Sequence, residues 1–312
     1  MMKVKKVLYI LTGMMLLTAC SGDNDGQTPA EKDARTALQI VAGIDLPVRS
    51  TTRAVETAWE ASDMIGVYMT EHGTANTYKD EDQTEAANMP YIFDDGTNYE
   101  TNGNTYRTFS PTSKKIYLST SAVDVFAYYP YTATPIVPDA LEISVADQSK
   151  QEKIDFMRAK TESVTNSNAS IRLLFYHKLV KLVFNLKQGE GLLTDELASA
   201  NFLGIKVKNQ PPSASYNLYT DAFSGFGSNI DIVPVESNTI ADGYVKTFEA
   251  IVLPSESLTH TVEITFYQKL EDKVVNTFTI NTALLSGHKY TYNVTVNANS
   301  INVDLEKYTE QW

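Results

Sequence analysis

The chain has 312 residues, a formal net charge of −12 and 43% hydrophobic residues, enough for two ordinary domains that each bury a core. Acidity on this scale repels nucleic acid and anionic lipid, which excludes a nucleic-acid partner. Eighteen Tyr and twelve Phe against a single Cys favour β structure and leave no intrachain disulfide or thiolate metal cluster.

Residues 1–19 read as a signal peptide. Lys3, Lys5 and Lys6 make a basic start, and the apolar run Val7–Leu17 is too short for a comfortable membrane span. The run ends in Leu17-Thr18-Ala19-Cys20, which resembles the bacterial lipoprotein box. That resemblance implies cleavage before Cys20 and acylation of its thiol and new amino group. Several acyl chains anchor stably where one is marginal. Residues 20–36 are then the lipidated cysteine and a tether, of which Ser21–Ala30 is polar, acidic and free of large apolar residues. The acidic run also resembles the signal that takes some lipoproteins of anaerobic Gram-negative bacteria to the outer face of the outer membrane. No later run approaches a second transmembrane span.

The folded part begins with Leu38–Arg53. Leu38, Ile40, Ala42, Ile44, Leu46 and Val48 fall on one side of an extended chain, with Gln39, Asp45 and Arg49 on the other. This alternation predicts a strand with one buried face, and Pro47 suits an edge or first strand. Arg49–Arg53 has no apolar anchor and reads as an exposed, cuttable linker. A sticky strand on such a tether is an assembly device. The plain alternative is a first strand that is never cut.

Met64–Met69 reads as a short strand, and 71–104 as long surface loops around another short strand at the apolar island Met89–Phe93. Lys115–Leu118 and Ala122–Tyr129 are expected to form a hairpin. Prolines 130, 135 and 138 mark a loop, Leu141–Val145 alternates, and Ala146–Lys153 reads as a short helix or turn. The polar stretch Thr161–Ser170 is the candidate domain boundary, dividing residues 37–170 from 171–312. Leu173–Leu186 then reads as one long strand, and Leu192–Ala200 as the best helix candidate. Strands are expected at Phe202–Val207, Tyr216–Tyr219, Ile230–Val233, Tyr244–Leu253, Thr261–Lys269, Val274–Ile280 and Tyr290–Val296. At the end, Ile301, Val303 and Leu305 alternate with polar residues before the phase shifts to Tyr308 and Trp312. Many short strands with turn signals argue for an all-β, sandwich-type chain with few short helices.

Chemical motifs are sparse. His72, His177, His260 and His288 are far apart with no metal-ligand spacing, and none is expected to bind a metal. Asp80–Asp82 and Asp94-Asp95-Gly96 do not follow the alternate ligand pattern of a calcium loop and read as solvated loop charge. Ser224–Ser228 is neither a nucleophile elbow nor a phosphate loop. Tyr128, Tyr129 and Tyr131 could stack on a sugar, but covering the core at a strand end is the plainer reading. No catalytic constellation and no cofactor are expected.

Several segments together resemble the fimbrillin family, subunits of type V pili of anaerobic Gram-negative bacteria. They are the Cys20 box, Trp59-x3-Asp63-x-Ile65-Gly66-Val67-Tyr68 and Phe126–Tyr131. Asp155-Phe156-Met157-x-Ala159, Phe175-x-His177-x-Leu179-x-Lys181-Leu182-x-Phe184 and Gly287-His288-x-Tyr290 follow in order. The resemblance implies two transthyretin-like β-sandwich domains in tandem and export as an outer membrane lipoprotein. It further implies cleavage by a trypsin-like protease after Arg53, with Arg49 as the alternative, and release of Leu38–Val48. A C-terminal strand of another pilin subunit fills the groove, and here the donor would be Ile301–Trp312, with Ile301, Val303, Leu305, Tyr308 and Trp312 as its apolar side chains. The product is an adhesive fimbria on the cell surface. Having both elements favours a stalk or tip subunit over an anchor. The rival reading is a surface glycan-binding lipoprotein, uncut at its N-terminus, with exposed aromatics as sugar platforms.

Overall fold

Two hydrophobic cores organise the described residues, and two strands, at Met64–Glu71 and Val123–Tyr129, place side chains in both. The computed structural model describes residues 35–45, 58–134, 137–192, 196–197, 202–268 and 272–309. The first half contains β1 (Thr36–Ala37), β2 (Gln39–Ile44), β3 (Met64–Glu71), β4 (Met89–Thr101), β5 (Asn104–Pro111), β6 (Tyr117–Leu118) and β7 (Val123–Tyr129). β8 (Leu141–Ser144), the helix α1 (Gln151–Ile154), β9 (Met157–Val164) and β10 (Ser170–His177) follow. Seven of these strands close a ring in the order β10–β2–β5–β4–β3–β7–β9, while β1 pairs with β6. A closed ring leaves no open edge.

The second half contains β11 (Val180–Gln188), β12 (Phe202–Gln210), β13 (Ser213–Asn217), β14 (Ala222–Ser224), β15 (Ile230–Ile232) and β16 (Val235–Glu236). After them come β17 (Lys246–Val252), β18 (His260–Gln268), β19 (Asp272–Ile280), β20 (Lys289–Val296) and β21 (Ile301–Thr309). The sheets β16–β17–β11–β20–β21 and β15–β12–β18–β19 share one core, to which the small sheet β14–β13–β8 also contributes. β11 is central, antiparallel to β17 and parallel to β20. Burial on both faces explains its near-continuous apolar sequence. The chain is all-β and sandwich-like, as its composition predicts.

β7 explains how the two cores join. Val123, Val125, Ala127 and Tyr129 enter the first core, while Phe126 and Tyr128, on the opposite face, enter the second. Period-two alternation has become two buried faces. Across the junction Phe126 meets Tyr219 and Phe156 meets Tyr216, edge to face at 4.9 and 4.8 Å. The Arg158 Nε donates to the Leu218 carbonyl at 2.7 Å, and the Lys178 Nζ lies 2.9 Å from an Asp221 carboxylate oxygen. These contacts, two aromatic and two polar, join residues far apart in the chain, so no local pattern announces them.

Several expectations change. The single strand expected over Leu173–Leu186 is two, β10 and β11, broken at Lys178-Leu179. β10 belongs to the ring and β11 to the second core, and the expected 170/171 division falls within β10. In the polar stretch Thr161–Ser170, the first four residues finish β9, and Thr165 caps a 3-10 turn at Asn166–Asn168. Leu141–Ser144, although N-terminal to that division, pairs with β13. The expected hairpin over Lys115–Tyr129 is not formed: β6 pairs with β1, and β7 with β3 and β9. Propensity finds strands, whereas partner choice depends on distant chain. The short strand expected at Met89–Phe93 is the start of the thirteen-residue β4, which runs on through the expected loop and is hairpinned to β5 through Asn102-Gly103 with φ of 51° and 80°. Positive φ at both turn positions favours Asn-Gly, a signal the polar composition masked. Of the helix expected at Leu192–Ala200, residues 193–195 and 198–200 lie outside the described residues, and Glu196-Leu197 form a turn.

Candidate functional site

Pro47 suited an edge or first strand; β2 is paired on both sides within the ring, so it is not an edge, and Pro47 itself lies outside the described residues. It runs parallel to β10, from Gln39 opposite Ser170 to Ile44 opposite Phe175, and antiparallel to β5, with Ile40 opposite Phe109 and Ala42 opposite Arg107. Backbone bonds extend this pairing beyond the ladder. Leu38 N donates to Ile116 O at 3.0 Å, Gln39 N to Ala169 O at 2.9 Å and Asp45 N to Phe175 O at 2.8 Å. Leu38, Ile40, Ala42 and Ile44 are all buried in the first core. The predicted inward face is therefore formed as far as the structure describes it; Leu46 and Val48 lie outside the described residues. Arg49, Arg53 and Cys20 also lie outside them.

Trp59 holds the middle of this strand. Its indole Nε1 donates to the Ala42 carbonyl at 2.9 Å, a buried bond. The ring meets Phe109, Phe175 and Tyr129 edge to face, at 5.0, 5.3 and 5.4 Å between centroids. Phe109 and Phe175 come from the two strands that flank β2, so one indole ties both walls to the strand between them. Tyr129 is fixed in turn, its hydroxyl donating to Asp63 at 3.0 Å. Burial foremost, then the Asp63 charge, pushes that hydroxyl's pKa far up, so it stays a donor. A cavity of about 400 Å³ opens where β2 ends, lined by Ile44, Trp59, Ser62, Asp63, Glu152 and Met157 among others.

At the other terminus, β21 occupies the edge of its sheet, antiparallel to β20 from Ile301 opposite Val296 to Thr309 opposite Lys289. Ile301 and Val303 pack against the second core, but Leu305 is 47% exposed. A register shift between Thr291 and Tyr292 interrupts the ladder, which accounts for the phase change before Tyr308. Tyr308 pairs with Tyr290; Trp312 lies outside the described residues. β21 thus holds on by one side, whereas β2 is held on both.

The scattered sequence motifs meet in space as framework. Gly66 pairs with Tyr128, and a β-carbon on Gly66 would stand only 2.1 Å from a carbon of that tyrosine ring. The Asp155 carboxylate and His177 Nδ1 are 2.9 Å apart, both buried. Gly287 N donates to Leu179 O at 2.9 Å, and a β-carbon there would stand 2.7 Å from the His177 carbonyl. Lys181, fully buried, lies 3.0 Å from Glu249. The other histidines also have structural partners. His72 pairs with Asp124 at 2.7 Å, His260 with the Ser257 carbonyl and His288 with the Ser286 carbonyl. Among the described residues, no group of three or more His, Cys, Asp or Glu is placed to hold a metal.

Two loop readings are refined. Asp80, expected as solvated loop charge, is buried and accepts from the amides of Asp82 and Thr84, so it shapes a turn. Tyr128 and Tyr129 are buried and present no face to a sugar, and Tyr131 packs partly against the second core. The helix formed by the described residues is too short to cross a membrane. Sequence reasoning placed Trp59 in a motif but missed its bond to the first strand, because that bond joins a side chain to a carbonyl seventeen residues away.

An all-β chain with two cores, a first strand clasped inside a ring and an edge strand at the far terminus has the build of a fimbrial subunit. The chain belongs to the fimbrillin-like family, whose profile matches residues 52–312. It is 31% identical over 320 residues, covering 100% of this chain and 96% of the other, to a candidate fimbrium subunit, Fim1C, of Bacteroides uniformis. Among solved structures it resembles a candidate cell adhesion protein from Bacteroides uniformis, with a TM-score of 0.66 and 26% identity, over 90% of this chain and 99% of that one. A second, from Bacteroides ovatus, gives 0.63 and 25%, over 89% and 99%. A fimbrial subunit works in a cell-surface appendage and assembles with others of its kind.

Proposed function

We propose that this chain is a structural subunit of a type V fimbria, exported as a lipoprotein acylated on Cys20 and matured by removal of its first strand. A trypsin-like protease cuts after Arg53, or Arg49, and Leu38–Val48 leaves. The observation that carries this reading is the seat of β2 between β5 and β10, bonded to both, on the same chain segment as the two arginines. Its departure turns a closed ring into two facing open edges above a bare apolar bed, and an open edge seeks a strand. Leu38, Ile40 and Ile44 alone bury a gross ~5 to 9 kcal/mol at about 1.5 to 3 kcal/mol each. While the strand is tethered, its high effective concentration keeps the seat occupied, and cutting the tether removes that advantage. The family profile's match from residue 52 onward supports a common body lying after the strand. The C-terminal edge strand supplies the donor. Its one-sided pairing makes it the cheaper strand to lift from its own sheet.

N-terminal sequencing and intact mass of the protein from the cell surface test this directly. A chain beginning at Ala54 or Ser50 without lipid is the expected result. A chain that still begins at acylated Cys20 overturns it, leaving an anchor or a glycan-binding lipoprotein.

A further inference from the structure

Building on that strand-removal reading, we propose that the seat of β2 is selective: it admits a strand with two adjacent small residues and rejects this chain's own C-terminal segment, so its occupant comes from a different chain. Two neighbouring positions, one on each face of β2, carry the argument.

The inward position is Ala42. It is 0% exposed, while Leu38, Ile40 and Ile44 on either side are large. Its carbonyl is held by Trp59, whose ring is boxed by Phe109, Phe175 and Tyr129. A longer side chain there enters a filled core whose aromatic walls are each fixed by the others. The outward position is Gly43. A β-carbon on it would stand 3.0 Å from the Thr105 carbonyl oxygen and 3.1 and 3.3 Å from two carbons of the Tyr106 ring. Tyr106 is itself buried over the glycine, and Thr105 is backbone of β5 in its pairing with β4. A β-carbon there requires one of them to give by a few tenths of an ångström, and the nearer of the two is backbone of a paired strand. A glycine inside a strand marks such a close approach.

The C-terminal segment offers no match. Ile301–Trp312 contains neither Ala nor Gly. If Ile301, Val303 and Leu305 face inward, the Ala42 position receives one of them or Lys307. The Gly43 position then receives a neighbour such as Asn302, Asp304 or Glu306, whichever way the strand runs. Slipping the strand by one residue does not help, since it turns the charged set inward. The seat thus specifies its occupant by steric exclusion as well as attraction. The chain then stands between unlike neighbours rather than in a run of copies, its own tail serving a seat of a different shape.

The test uses the chain from Ser21 to Trp312, cut after Arg53 and incubated in dilute urea with fluorescent peptides, reading the label that co-elutes with folded protein. The probes are Leu38–Val48, the same peptide with Ala42→Leu or Gly43→Val, the tail peptide Ile301–Trp312, and the tail peptide with Val303→Ala and Asp304→Gly. The first should enter, and each single substitution should weaken entry roughly tenfold or more, the usual scale of overpacking. The unmodified tail should stay near background and the doubly substituted tail should recover entry. Entry of the unmodified tail, or of the Gly43→Val peptide, as readily as the native-strand peptide overturns the selectivity while leaving strand removal intact. If even the native-strand peptide stays out of folded, cut protein, strand removal fails and this proposal with it.

Discussion

Trp59 offers the sharpest test of how the first strand is held. Trp59→Phe keeps an aromatic ring among Phe109, Phe175 and Tyr129 but deletes the donor to the Ala42 carbonyl. The lost hydrogen bond is worth about 0.5 to 1.5 kcal/mol. With the smaller ring leaving some empty volume, the total should reach roughly 1 to 2 kcal/mol. Trp59→Ala removes a buried indole outright and should cost about 3 to 5 kcal/mol. Urea unfolding of the Ser21–Trp312 chain gives the total, and amide hydrogen exchange locates it. If Trp59 clasps the strand, the Phe variant loses protection first at Gln39–Ile44 and in the flanking β5 and β10, with the second core unchanged. Lower global stability with unaltered exchange at Gln39–Ile44 would refute the clasp and leave Trp59 as core filling.

The remaining predictions address other parts of the molecule. Gly66→Ala forces a methyl group against the Tyr128 ring between paired strands; it should cost about 3 kcal/mol or more, visible as poor soluble yield and a lowered Tm. Glu249→Ala removes a carboxylate 3.0 Å from the buried Lys181 ammonium, and urea titration should show a loss of about 1 to 3 kcal/mol. Burial pushes the Asp221 carboxyl up, but hydrogen bonds from Lys178 and Tyr216 and the Lys178 and Arg158 charges hold it below 3.8 overall. Asp124 is likewise held below 3.8, its burial outweighed by bonds from Gly73, His72 and Ser163. Folded pKa values below the unfolded ones give stability that is full above about pH 4 and drains as pH falls through the folded values. Asp221→Asn should flatten that acid loss in a pH series of urea midpoints. Finally, the Arg49→Ala, Arg53→Ala double variant should keep residues 38–48 in surface-recovered protein by intact mass; loss of that segment despite both substitutions would point to another cleavage site.

Much of the fold was legible. The alternation of Leu38, Ile40, Ala42 and Ile44 gave the buried face of the first strand, because side chains in a strand point to opposite faces whatever its neighbours are. The expected strands from Phe202 to Val296 appear with ends shifted by a few residues. Partners were not legible. Lys115–Leu118 and Ala122–Tyr129 look like a hairpin, yet pair with Thr36-Ala37 and with β3 and β9. Nothing local separates a strand that folds on its neighbour from one that crosses the sheet. Pro47 suited an edge or first strand, while Gln39–Ile44 is paired on both sides, to β5 and β10, since partners far along the chain decide which strands flank it.

The amino-acid order by itself determined the all-β class, the inward face of the first strand, the alternation of the last and the motifs that mark the family. Each follows from local covalent geometry, which fixes where side chains point. Tertiary structure decided that β10 closes a ring around β2 and that Trp59 bonds Ala42. It decided too that Tyr106 seals Gly43 and that Asp221 bolts the second core to Arg158 and Lys178. These are contacts between residues tens of positions apart, made when burial of one surface selects among many strands of similar propensity. The same Ala42-Gly43 pair that shows in sequence only as two small residues in an alternating strand stands, in the fold, against the Trp59 indole on one side and the Thr105 carbonyl and Tyr106 ring on the other.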